Sequence, residues 1–147
     1  MLRRTFLKGA AAAALAFLKP GAVLASVWNK AAFSAKSRFE AMLDSGYNDA
    51  EESGDILIKA PEIAEDGAMV PVEVTSNIPG TTSMAFFAEK NPNPLVADFS
   101  FSDGALPYIS THIKMAETSV FRVAVKANGK VYTAGREIKV TIGGCGG

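Results

Sequence analysis

The chain holds one cysteine and one histidine, and the cysteine, Cys145, stands inside the run Gly143-Gly144-Cys145-Gly146-Gly147. A thiol can serve as nucleophile, metal ligand, disulfide partner or attachment point. The neighbours favour attachment. Glycine lacks the Cβ that restricts the backbone, so nothing beyond Ile142 is expected to order itself, and the chain reaches at most about 10 Å from Ile142 to Cys145. A bare thiol on such a tether can enter a channel that excludes a folded surface, and the flanking N–H groups can lie against an oxyanion bonded to the sulfur. Activation is missing. A free thiol titrates near pH ~8.5 unless a cation or helix N-terminus favours the thiolate, and the nearest basic side chain, Lys139, lies six residues back. The lone His112 sits in the strand-like run Tyr108-Ile109-Ser110-Thr111-His112-Ile113-Lys114 and reads as a surface or packing residue. Cys145 is therefore expected to be a passive covalent handle in a chain with no catalytic residues of its own.

Other constellations are weaker. Met84 and Met115 could join Cys145 and His112 around copper, but no pair has ligand spacing, so neither a metal nor a cofactor is expected. Asp49 and Glu51-Glu52 read as a solvated linker, and Phe86-Phe87, Phe99 and Phe101 as core. There is no phosphate-cradling glycine loop ahead of a helix and no Ser-His-Asp context.

The elements that carry Cys145 begin with a leader. Arg3-Arg4 precede Phe6-Leu7-Lys8, an acid-free apolar stretch runs from Gly9 to Leu18, and Lys19-Pro20 and the small-residue site Val23-Leu24-Ala25 close it. This reads as a twin-arginine export signal over residues 1–25, cut after about Ala25, with an ordinary secretory signal as the alternative. The stretch is shorter than the roughly 20 residues a membrane-spanning helix needs. The full chain has 15 basic and 15 acidic residues; losing Arg3, Arg4, Lys8 and Lys19 leaves 11 against 15. No cluster of Lys and Arg longer than a pair then remains, so neither a nucleic acid nor a membrane is an expected partner of the mature, periplasmic form. About 120 residues are left, enough for one core, and a single cysteine cannot staple it internally.

Trp28, Ala32, Ala35, Phe39, Met42 and Leu43 recur at helical spacing, so a helix is expected within residues 26–46, ended by Gly46. An acidic linker, Asn48 to Gly54, follows. Seven runs rich in Val, Ile, Thr and Phe then fill residues 55–142: Asp55 to Ala60, Met69 to Ser76, Thr82 to Lys90, Leu95 to Ser102, Tyr108 to Met115, Ser119 to Ala127 and Lys130 to Ile142. Turn residues divide them, including Asn77-Ile78-Pro79-Gly80 and the hairpin signal Asn128-Gly129. Alternation such as Val70, Val72, Val74 against Glu73 and Thr75 marks half-buried strands. The expected class is all-β, an immunoglobulin-like antiparallel sandwich of about seven strands with one N-terminal helix and a Gly-rich arm over residues 143–147.

The segment Val140-Thr141-Ile142-Gly143-Gly144-Cys145-Gly146-Gly147 behind a twin-arginine signal resembles the SoxY family, the sulfur-carrier subunits of the periplasmic thiosulfate-oxidizing system. The resemblance continues inward through Asp55 to Glu65, Val70 to Pro79 and Glu89 to Pro94. It implies that Cys145 carries thiosulfate-derived sulfur covalently, with Gly143, Gly144, Gly146 and Gly147 as the arm. It also implies the partners: a SoxZ-like subunit forming a heterodimer, a haem c enzyme that conjugates thiosulfate to the thiol, a dimanganese hydrolase that releases sulfate, and in some organisms a molybdenum sulfane dehydrogenase.

Two rival classes stand beside this. Gly146-Gly147 could be a terminal diglycine of a ubiquitin-like carrier, which the leader argues against because those are cytoplasmic. An exported structural sandwich could instead use Cys145 for an intermolecular disulfide.

Overall fold

The computed structural model describes residues 28–143. The expected export signal with Arg3 and Arg4 lies outside the described residues, as do Gly144, Cys145, Gly146 and Gly147.

Two short helices come first, α1 (Lys30–Ser34) and α2 (Arg38–Asp44). Nine strands follow: β1 (Glu51–Glu52), β2 (Ile56–Lys59), β3 (Ile63–Ala64), β4 (Val70–Ser76), β5 (Thr81–Ala88), β6 (Leu95–Ser100), β7 (Tyr108–Ile113), β8 (Ser119–Ala127) and β9 (Lys130–Val140). All seven expected runs carry a strand. The larger sheet runs β1-β9-β8-β5-β6 with β3 also on β9, and the smaller runs β2-β4-β7. The two extra strands, β1 and β3, are two-residue pieces that pair parallel with β9. Glu51-Glu52, expected in a free linker, is therefore tied to Tyr132 and Thr133.

Alternation explains the sandwich. On β4, Val70, Val72, Val74 and Ser76 turn inward while Pro71 faces out, and the inner faces of both sheets enclose Met84, Phe86, Phe121, Val123, Val125 and Ile138. Pro71 is tolerated on the middle strand because β2 stops pairing at Glu73, so its missing N–H breaks no ladder on that side. The β8–β9 hairpin turns on Asn128 (φ 52°) and Gly129 (φ 74°), the left-handed pair that a two-residue turn of matching twist requires. Met84 and Met115 are buried in this core.

The single expected helix is two. Ser37 interrupts it, its side chain accepting from the Glu40 amide at 3.2 Å, while the Glu40 carboxylate accepts from the Lys36 amide at 3.3 Å. The break re-aims the apolar stripe: Ala32, Ala35 and Ala41 pack with Tyr47, Phe87, Leu95 and Ala124 on the outer face of the larger sheet, whereas Trp28, Phe39 and Leu43 stay exposed. Gly46 (φ 75°) ends α2 as expected. The Tyr47 amide donates to Met42 O at 2.7 Å and the Gly46 amide to Leu43 O at 3.1 Å, satisfying carbonyls the helix leaves unpaired.

Candidate functional site: the root of the glycine arm

Strand β9 delivers the chain to the arm, and its last residues are fastened one after another. The Lys139 amide donates to Glu62 O (3.0 Å) and the Thr141 amide to Ala64 O (3.1 Å). Val140 N–H donates to Thr118 Oγ1 at 2.9 Å, and Thr141 Oγ1 donates to Glu65 O at 3.0 Å. The final bond runs from the Gly67 amide to Ile142 O at 2.8 Å. Beyond it the backbone of Gly143 lies against Ala116, so close that a Cβ on Gly143 would overlap the Ala116 carbonyl oxygen. Gly143 is a point of close backbone approach, fixed where β9 ends.

Ala116 belongs to the β7–β8 connection, which Asn91 pins. This buried side chain donates through Nδ2 to Lys114 O at 2.8 Å and accepts at Oδ1 from the Ala116 amide at 2.8 Å. The Met115 amide donates to Gly67 O at 2.7 Å, tying the connection to the β3–β4 turn. Three segments thus meet at the arm's root: the end of β9, the turn around Gly67 and the connection around Ala116. Composition gave no hint of the Asn91 pin, because Asn91-Pro92-Asn93-Pro94 reads as turn chemistry only.

On the segments that meet here, Ile142, Met69 and Ile63 are exposed apolar residues. Lys90 is engaged with Glu117 at 3.7 Å. His112 lies on the outer face of the small sheet opposite Pro71. Sequence reasoning also missed an ion-pair cluster on the larger sheet, where Arg122 Nε meets Glu89 Oε1 at 2.7 Å and its Nη1 meets Glu52 Oε1 at 2.9 Å. Arg38 joins Glu89 at 3.4 Å. Burial disfavours the Arg122 charge, but the hydrogen bonds and charges of Glu89 and Glu52 outweigh it and raise its pKa, keeping a structural cation between α2 and the sheet. The Glu51-Glu52 pair expected to be solvated is so in part, since Glu52 is exposed yet paired.

Among the described residues no helix is long and apolar enough to cross a membrane. No curated protein matches the sequence. A superoxide reductase (neelaredoxin) variant from Ignicoccus hospitalis is similar in fold alone, with 21% identity, TM-score 0.51, and coverage of 69% of this chain and 86% of that one. The solved structure of the sulfur carrier protein SoxY from Chlorobium limicola f thiosulfatophilum is 44% identical, with TM-score 0.60, and the match covers 68% of this chain and 93% of that one. The family model for the sulfur oxidation protein SoxY matches residues 42–145, a span that starts inside α2, takes in both sheets and the fastened root, and ends on the cysteine. With a sandwich whose last strand is fastened as far as Gly143, and with that match across most of its length, the chain belongs to the SoxY family of sulfur oxidation proteins.

Proposed function

We propose that the protein carries thiosulfate-derived sulfur covalently on Cys145, at the end of the arm formed with Gly143, Gly144, Gly146 and Gly147, and that it performs no turnover itself. The observation that carries this reading is the family match running through residue 145, joined to a 44% identical relative described as a sulfur carrier protein. In the loading step the Cys145 thiolate and thiosulfate form an S–S bond, giving Cys–S–S–SO₃⁻, and two electrons leave to a haem c enzyme. Hydrolysis then adds water across the terminal S–S bond. A dimanganese hydrolase releases sulfate and two protons, and the sulfane sulfur stays on the cysteine as a persulfide. A molybdenum sulfane dehydrogenase oxidizes that sulfur in organisms that have one.

The carrier works in the periplasm, exported by the twin-arginine route and paired with a SoxZ-like subunit that travels with it. The twin-arginine pathway moves folded cargo, which suits a subunit lacking its own signal.

The test is a Cys145→Ser strain grown on thiosulfate, combined with intact-mass analysis of the protein from the periplasm. Growth on thiosulfate should stop, and the added sulfur mass should appear on Cys145 of the parent alone. Normal growth of the variant would remove the carrier reading and leave a structural disulfide as the use of the thiol.

A further inference from the structure

Each sheet of the sandwich ends in a strand that is paired on one side only. β6 closes the order of the larger sheet and β7 that of the smaller, and among the described residues neither has a neighbour beyond it. Both edges border one cleft of about 500 Å³, a volume in the range of small-molecule sites. Leu95, Val96 and Phe99 of β6 and Ile113 of β7 give it apolar walls, and Trp28 and Phe33 line it from the helical layer. The two aromatic rings stack with centroids 4.3 Å apart. Trp28 is nevertheless 66% exposed, so most of the indole stays open to whatever enters.

Charge distinguishes this cleft from the others on the molecule. Its wall contains no Asp or Glu, and its titratable residues are His112 and Lys114. Both are exposed, and neither forms an ion pair among the described residues. A further cation, Lys36, reaches the wall by donating to Asn93 Oδ1 at 2.8 Å. Elsewhere the cations are already engaged. Arg38 and Arg122 line a cleft between α2 and the larger sheet, but Glu89 and Glu52 neutralise them. Lys126 lines another, where Ser45 O and the Tyr47 ring hold it. Positive charge without a counter-charge beside an apolar wall favours a ligand that joins a negative head to an apolar body.

We propose that the cleft between β6 and β7 binds an organic anion with a flat apolar body. The body lies against Leu95, Phe99 and the stacked pair of Trp28 and Phe33, and Lys114 and His112 receive the anionic head. Binding of this kind does not depend on what Cys145 carries.

The probe is anilinonaphthalene sulfonate, titrated into the full mature chain while the emission of Trp28, its only tryptophan, is followed. Binding should saturate at one probe per chain and quench Trp28. Lys114→Ala should weaken it roughly threefold, the size of one exposed charge pair, and Phe33→Ala roughly tenfold, for a lost apolar contact. Lys114 is exposed and bonds Asn91 through its carbonyl alone, so the variant keeps the fold. N-phenylnaphthylamine, the same body without the sulfonate, should bind the parent and Lys114→Ala equally, and the parent more weakly than the sulfonate does. Phe39→Ser and Leu106→Ser, which remove exposed apolar side chains outside this cleft, should keep the parental affinity.

Parental affinity in Lys114→Ala would overturn the proposal, as would a neutral probe that binds as tightly as the sulfonate. Equal weakening in Phe39→Ser or Leu106→Ser would reduce the binding to general surface adsorption and overturn it too. Loss of the signal on adding the SoxZ-like subunit would make the cleft a protein interface, which also removes the site.

Discussion

At the scale of single residues, Gly143 and Cys145 have different reasons for their types. On the proposed function Cys145 is set by chemistry, whereas Gly143 is set by space. A side chain there meets the Ala116 carbonyl oxygen, a backbone atom that cannot rotate away. Gly143→Ala should displace the end of β9 and weaken the Gly67 N–H bond to Ile142 O, at a cost of about 1–3 kcal/mol. Urea unfolding would register the loss, and hydrogen exchange at the Gly67 amide should accelerate in step with it. If the residue served flexibility alone, alanine would leave stability level or slightly higher by restricting the unfolded chain. That opposite sign separates the two roles.

Among elements, the β7–β8 connection does the positioning, and Asn91 is what holds it. Asn91→Ala removes both bonds, to Lys114 O and from the Ala116 amide, and leaves two sheltered backbone groups without partners. The expected loss is about 2–3 kcal/mol in thermal or urea unfolding. Asn93→Ala, which gives up only an exposed contact with Lys36 Nζ, should stay within about 0.5 kcal/mol of the parent. Equal losses in the two variants would count against the pin.

Local sequence patterns fix the longer elements of this chain and miss the short ones. Runs rich in Val, Ile, Thr and Phe between turn residues located every strand of four residues or more, and Asn128-Gly129 located a hairpin, because both signals are local. Strands β1 and β3 are too short to alternate, and each exists only because β9 offers a free edge. The helix break is a different case. Its signal was present as Ser37-Arg38-Phe39-Glu40, the spacing of a capping box, and the continuous apolar stripe masked it. Cys145 was legible from composition alone, whereas the fixed root was not, since the contacts of Gly143 with Ala116 and Asn91 with Lys114 join residues 23 or more apart in sequence.

On the scale of the whole molecule, three layers must stay in register: the small sheet, the large sheet and the helices on its outer face. Tyr47 clamps the outer two. Its ring is fully buried beside Phe87 at a centroid distance of 6.5 Å. Its hydroxyl donates to Asp98 Oδ1 at 2.8 Å and lies 2.9 Å from Ser83 Oγ. Lys126 Nζ sits 4.1 Å above the ring and donates to Ser45 O at the end of α2 at 3.0 Å.

Desolvation raises the Tyr47 pKa, helped by the Asp98 charge and opposed by the Ser83 hydrogen bond. In the unfolded chain the phenol titrates near pH ~10. Above that pH the unfolded state sheds a proton that the native state keeps, so stability is full below pH ~10 and falls as the pH rises further. Tyr47→Phe has no such proton. At pH 8 the variant should be less stable than the parent by about 1–2 kcal/mol, for the lost hydrogen bonds. By pH 10.5 the gap should narrow by about 0.8 kcal/mol, because the parent alone has lost the contribution of this group. Urea midpoints measured at the two pH values decide it: a gap that holds constant or widens on going alkaline would mean that Tyr47 is not sealed in the native state, and that the helical layer opens independently of the sandwich.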